Sequence, residues 1–271
     1  MSKYLIIFDN HCGACNLSMK LATKLGVIKT ESKIALSEYK DNYATCNVDP
    51  QRACDEMAVV NKKTQEVYYG VKGYSLLLAE QYPFFYKLSQ SELLINILNP
   101  LYIFLASNRR IIAPLRTSEA KCNPTLKKKY RFFMIFLLGF FATIITYKKG
   151  TILSSFEVFS FLDGLKFIQI TGVGWLLTGL VFNGSNRWDY IGHLSIIAGT
   201  AILIQSFTLI LYHFMPHLAW IIGSMIVSDL LMLYMHYNRI KTMQLSQKHT
   251  IKWWIILHVT AAISLLQYYL I

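Results

Sequence analysis

Two cysteines separated by two residues, Cys12-Gly13-Ala14-Cys15, follow Asp9-Asn10-His11 near the start of this chain. Such a pair performs thiol–disulfide exchange when its first sulfur sits at a helix N-terminus, where unpaired N–H groups and the helix dipole favour a thiolate. The second sulfur, one turn further in, can then attack the mixed disulfide and release the substrate. His11 would add positive character when protonated. Asp9 would either oppose thiolate formation or relay a proton from Cys15. No cofactor is required for this chemistry. The competing reading is a zinc half-site completed by Cys46 and Cys54, but their separation is not a usual ligand spacing. Cys122, in Cys122-Asn123-Pro124, is either a third redox thiol passing electrons toward a membrane or a small buried residue. The latter is also the default for Cys46 and Cys54.

The elements that would position the dithiol are legible around it. Tyr4–Phe8 predicts a short buried strand running straight into the motif. Asn16–Leu25 predicts a helix with Leu17, Leu21 and Leu25 on one side, stopped by Gly26. Lys33–Leu36 is a candidate second strand. Met57–Val60 and Val67–Tyr69, joined by a polar Asn61–Thr64 turn, predict a β-hairpin closed by Gly70. Helices are expected over Gly73–Glu80 and Leu93–Ala106. Strand, helix, strand, hairpin, helix is the order of an α/β thioredoxin-like domain, assigned to residues 1–120.

With the motif and its preceding strand in place, this region resembles the DCC family of predicted thiol-disulfide oxidoreductases, named for Asp-x-x-Cys-x-x-Cys. Asp9, Cys12 and Cys15 match that motif residue for residue. Tyr69-Gly70 with its following helix, and Leu101-Tyr102 through Asn108-Arg109, are similar to the family's closing segment. The resemblance covers residues 4–115 and implies a thioredoxin-like fold with a thiol or disulfide, on a protein or a small molecule, as partner. One departure stands out: no proline immediately precedes the Met57 strand, where thioredoxins place a cis-proline facing the dithiol, and Pro50 comes too early.

Beyond a basic junction at residues 121–131 the pattern changes. Phe132–Tyr147, Leu165–Phe182, Tyr190–Tyr212, Leu218–Tyr237 and Trp253–Ile271 are apolar runs of about membrane-spanning length. They predict an all-α transmembrane bundle of about five spans over residues 132–271, with Arg131 and Lys148 snorkelling at the ends of the first. The stretch 151–164 would be an interfacial helix or lengthen the second span. Trp175, Trp188, Trp220, Trp253 and Trp254 read as interface anchors, and Gly172, Gly174 and Gly179 as points of close helix packing. Lys127, Lys128, Lys129 and Arg131, then Arg187, then Arg239, Lys241, Lys248 and Lys252 mark the positive, cytosolic side. The dithiol domain is thereby placed in the cytosol beneath an inner membrane. The first residues lack the features of a signal peptide, in keeping with that placement.

Intramembrane ionisable residues mark function or a partner. His193, His236, His258 and Asp229 share one depth in this topology, and the seven-residue spacing aligns Asp229 with His236. They are a candidate cofactor site for haem, a metal or a quinone, or else a set of polar residues satisfied by neighbouring helices.

The composition narrows the function classes. Of 271 residues, 54% are hydrophobic and only 15% charged, which excludes a wholly water-soluble or disordered chain. The net charge of +12 is concentrated beside membrane ends and points to lipid, not nucleic acid. No nucleotide loop, serine triad or DNA-binding helix is visible. The expectation is therefore a membrane-anchored thiol-disulfide oxidoreductase. The alternatives are a non-catalytic membrane assembly module, or a membrane enzyme or transporter with the dithiol as redox sensor.

Overall fold

The computed structural model describes residues 3–42, 48–114, 122, 124–181, 187–243 and 245–270. The chain forms two compact units, Met1–Arg131 and Phe132–Ile271.

The first unit is built on β1 (Tyr4–Phe8), whose alternate residues point to opposite faces and feed two cores. Leu5 and Ile7 pack with Leu36, Tyr39, Ala53 and Val60. Tyr4 and Ile6 pack with Met19, Ile28, Val59 and Leu76 on the other side. A strand buried on both faces reads as a continuous apolar run, which is why β1 was legible. With β2 (Lys33–Ala35), β3 (Ala58–Asn61) and β4 (Val67–Tyr69) it forms a four-stranded sheet in the order β2-β1-β3-β4. β1 runs parallel to β2, with Ile7 opposite Ile34, and antiparallel to β3, with Ile6 opposite Val59. The β3–β4 hairpin closes with the Asn61 side chain accepting the N–H of Lys63 and of Thr64. Strand, helix, parallel strand and then hairpin is the thioredoxin-like arrangement.

α1 (Gly13–Lys24) begins a turn earlier than its apolar spacing implied. Its predicted leucine row faces outward, with Leu17, Leu21 and Leu25 at 59, 51 and 70% exposure, and Met19 is the residue it buries. Three short helices were not anticipated: α2 (Leu36–Asn42), α3 (Pro50–Asp55) and α5 (Phe84–Gln90). Asp49 caps α3 by accepting the N–H of Gln51 and of Arg52, and Pro50 takes the first helical position, where its missing N–H costs nothing. Three helices complete the unit: α4 (Gly70–Ala79), α5 (Phe84–Gln90) and α6 (Glu92–Ile112). Gly70 has φ +60, a left-handed conformation that favours glycine at the turn from β4 into α4.

The second unit contains α7 (Lys128–Leu153, which starts within the first unit), α8 (Gly164–Val181), α9 (Arg187–Phe214), α10 (Leu218–Thr242) and α11 (Lys248–Tyr269). Among the described residues four of these, α7, α9, α10 and α11, are long and apolar enough to cross a membrane. The remaining predicted run is the 18-residue α8.

Several details differ from the sequence reading. α7 continues through Lys148 and Lys149 to Leu153 instead of ending at Tyr147. Lys149, which lies beyond the predicted end of the first span, is fully buried and donates to Ser224 Oγ at 2.5 Å. Residues 151–164 hold the end of α7 and a 3-10 turn at Glu157–Phe159, not a separate α-helix. Of the three glycines singled out, Gly174 makes the close approach: a Cβ there would lie 2.7 Å from Thr260 Oγ1 on α11. Trp253 is a core residue, 2% exposed, edge-on to Trp175 at 5.9 Å and stacked on His236 at 4.4 Å.

Candidate active site

The dithiol lies where β1 hands over to α1, at the carboxyl end of a central strand. Cys12 is the N-cap residue of α1 and Cys15 falls in its first turn. The turn is closed by Cys12 N–H donating to Asp9 O at 3.2 Å and Asn16 N–H donating to Cys12 O at 3.0 Å. Asn16 Nδ2 also donates to Asn10 O at 2.5 Å. Both sulfurs are free thiols, Cys12 buried and Cys15 partly exposed. Ala113 and Pro114, just past α6, lie within 3.5 Å of where a Gly13 Cβ would stand. They border the approach to the loop.

The two sulfurs are driven apart in acidity. Cys12 is lowered from 9.0 to about 6, chiefly because the Cys15 thiol hydrogen-bonds the Cys12 sulfur, against the cost of burial. The Cys15 N–H and the Arg109 guanidinium lower it further, and Asp9 opposes them. Cys15 is pushed up by its hydrogen bond to Cys12 and by burial. One sulfur is thus a nucleophile at neutral pH and the other keeps its proton.

Arg109 entered the sequence reading only within the segment similar to the family's closing stretch, with no role at the site. Its spacing carries no signal, because every partner lies far away in the chain. Placed by the last turns of α6, it donates to Asp55 O at 2.9 Å and to Cys54 O, and it stands 3.8 Å from Asp9 Oδ2. Arg110 also reaches Asp9 Oδ2, at 3.8 Å. Burial works against the Arg109 charge, but Cys15, Cys12 and Asp9 outweigh it and raise its pKa. Asp9 is almost fully buried, and its other oxygen accepts the His11 N–H at 3.0 Å. The backbone of His11 therefore shapes the loop, and the cation beside the dithiol is Arg109.

Tyr74 and Tyr102 form a further wall. Their rings meet edge-on at 5.9 Å. Tyr74 is hydrogen-bonded to Ser18 on α1 at 3.3 Å, and Tyr102 accepts the N–H of Met57, the residue before β3, at 3.0 Å. Burial pushes both hydroxyls up.

The remaining cysteines depart from expectation. Cys54 and Cys122 are joined in a disulfide. Cys54 is thus no free thiolate for zinc, and Cys122 is no lone third thiol. Cys46 lies outside the described residues. Arg109 and Arg110 donate to the carbonyls of Cys54 and Cys122 respectively, so the cations that meet Asp9 also hold both ends of this bridge.

In the second unit the polar residues pair off. His236 is hydrogen-bonded to Tyr190 at 3.2 Å and to Thr250 at 3.1 Å. His193 accepts from Arg239 at 3.1 Å. His258 meets Asp229 at 3.2 Å and donates to Trp254 O at 2.9 Å. Asp229 and His236 both turn toward α11, but seven residues of helix separate them by about 10 Å along α10. Among the described residues no group of three or more His, Cys, Asp or Glu side chains is arranged to hold a metal ion.

Residues 6–113 match the family model described as DCC1-like thiol-disulfide oxidoreductase. No curated protein and no solved structure matches the chain. The matched stretch contains Asp9, Cys12, Cys15, Tyr74, Tyr102 and Arg109. Over its N-terminal unit, then, the chain is similar in sequence to the DCC1-like thiol-disulfide oxidoreductase family, and it continues into helices of membrane-spanning length.

Proposed function

We propose that this protein is a membrane-anchored thiol-disulfide oxidoreductase that works through Cys12 and Cys15. The Cys12 thiolate attacks one sulfur of a substrate disulfide. The S–S bond breaks, a mixed disulfide forms on Cys12, and the departing sulfur leaves as a thiolate that takes up a proton. Cys15 then loses its proton and attacks Cys12 Sγ. The second substrate thiol is released, and two electrons have passed from the dithiol to the substrate. The reverse direction uses the same steps.

The observation that carries this reading is the placement of two free thiols at the start of α1, Cys12 at the N-cap and Cys15 in the first turn, with Arg109 close enough to lower the Cys12 pKa. Because Cys12 has no exposed surface, substrate docking must displace what lies over the loop. The test is capture in cells with Cys15→Ser, which should hold partners on Cys12 as mixed disulfides that a reductant releases. Absence of such adducts, with Cys12 alkylating no faster than an ordinary thiol, would leave only the docking-module reading.

For the membrane part we propose an inner-membrane location with the dithiol unit in the cytosol and α8 as a fifth span. The charge pattern supports this. With only four crossings, Arg239, Lys241, Lys248 and Lys252 would lie opposite Lys127, Lys128, Lys129 and Arg131, against the positive-inside rule. At 1.5 Å per residue the 18 residues of α8 cover about 27 Å, close to the hydrocarbon thickness. The paired His residues serve the bundle as satisfied polar contacts in this reading.

A further inference from the structure

α6 is apolar on a side that its own domain leaves open. Leu93, Ile97, Leu101 and Leu105 are 71, 62, 58 and 50% exposed, with Leu94 and Leu98 beside them. At 3.6 residues per turn these six positions fall within a stripe of about 140°. Glu92, Asn96, Asn99 and Ser107 collect on a different side of the helix. Tyr102 turns inward to Met57. α5 adds Phe84 and Tyr86, and Tyr82 just before it is exposed as well. A contiguous apolar face of this kind marks an interaction surface.

We infer that the α5–α6 face lies in the interfacial layer of a lipid bilayer, its leucines below headgroup level and its tyrosines at that level. Three observations select lipid as the occupant. First, α6 ends at Ile112 and α7, a helix of membrane-spanning length, begins at Lys128, so the bilayer that receives α7 is within reach of α6. Second, the connection ends in Lys127, Lys128, Lys129 and Arg131, a cluster suited to anionic headgroups. Third, the α6 stripe is Leu and Ile with no charged residue inside it, and Tyr82, Phe84 and Tyr86 at α5 add exposed rings, the composition of helices that lie in the interface plane. The consequence reaches the dithiol. The same helix delivers Arg109 to Asp9, so a face resting on lipid holds the reactive sulfurs near the membrane surface.

The experiment uses the full chain in nanodiscs of phosphatidylethanolamine and phosphatidylglycerol containing a phospholipid with a photoreactive diazirine on its acyl chain. After irradiation, adducts are mapped by mass spectrometry. The expected result is labelling of Leu93, Ile97, Leu101, Leu105 and Phe84 alongside the spans, with none on the exposed hairpin turn at Lys62–Gln65. The paired variant Ile97→Glu, Leu101→Glu should lose the α5–α6 adducts, keep those on the spans, and retain the Cys12 thiolate titration as a sign of intact folding. Labelled spans with an unlabelled α5–α6 face in the unaltered chain would overturn the inference. So would crosslinks from that face to a second copy or to another protein in place of lipid.

Discussion

Replacing Cys15 by Ala tests the electrostatic argument at its largest component. The Cys15 thiol is the main influence holding Cys12 at about 6, ahead of burial, the Cys15 N–H and Arg109. Losing that donor should raise Cys12 by about two units, toward 8. The effect on rate depends on pH. A two-unit rise in pKa makes the thiolate about eightfold more nucleophilic, on a Brønsted coefficient of about 0.45. Well below pH 6 the thiolate fraction drops about a hundredfold, so alkylation of Cys12 should slow about twelvefold on that coefficient. Above about pH 9 both proteins are thiolates and the variant should be about eightfold faster, with the two profiles crossing near pH 7. A measurement at neutral pH alone would therefore show almost nothing. The assay is the pH profile of iodoacetamide modification at Cys12, read by peptide mass spectrometry. Arg109→Leu should shift the midpoint in the same direction by less, about one unit. An unmoved midpoint in Cys15→Ala, or a larger shift in Arg109→Leu, would refute the assignment of causes.

Three further outcomes follow from the same structure. Cys12 titrates at about 6 in the fold against 9.0 for an ordinary thiol, so its charge stabilises the reduced fold fully above pH 9 and that contribution is lost as pH falls through 6. Protection of β1 and β3 against hydrogen exchange should thus rise by up to about 1.4 kcal/mol per pH unit across that window, and Cys12→Ser should flatten the slope. Cys15, being raised, adds nothing there and works the other way above pH 9. Cys54→Ser opens a bridge that spans 68 residues, and a chain-entropy estimate puts the loss at about 4 kcal/mol, readable as exchange in α3. A loss below about 1 kcal/mol would mean that the bridge does not constrain the unfolded chain. Reporter fusions at Lys248 and Ile271 should read inside and outside, whereas an inside signal at Ile271 would remove α8 from the list of spans.

What the sequence made legible was local. β1, the hairpin and the handover into the dithiol depend on neighbours a few residues apart, and runs such as Tyr4–Phe8 record them directly. α3 was hidden because its start rests on one cap and one proline, with no apolar period in so short a helix. The site was half visible for the same reason. Cys12 and Cys15 announce themselves by spacing, but Arg109 has partners at Asp9, Cys54 and Asp55, all at least 54 residues away. The Cys54–Cys122 bridge is equally non-local. In the bundle, periodicity showed which residues share a face of α10 but not what that face meets. The register against α11 gives Asp229 to His258 and His236 to Thr250.

Asp9 brings these strands of reasoning together. Taken alone, a carboxylate beside the dithiol raises the Cys12 pKa and is a poor choice for a nucleophile's neighbour. In the fold its two oxygens face different tasks: one accepts the His11 N–H, and the other stands between Arg109 and Arg110. The acid thus shapes the loop and helps to hold the cation that lowers the same thiol. Arg109 is also held by two backbone carbonyls, so its position does not rest on Asp9 alone. The sign of the combined effect is set by the whole group, with the Cys15 thiol contributing most and Arg109 adding to it. That group is assembled from β1, α1, α3 and α6, and the shortest stretch of sequence that contains it runs from Asp9 to Arg110.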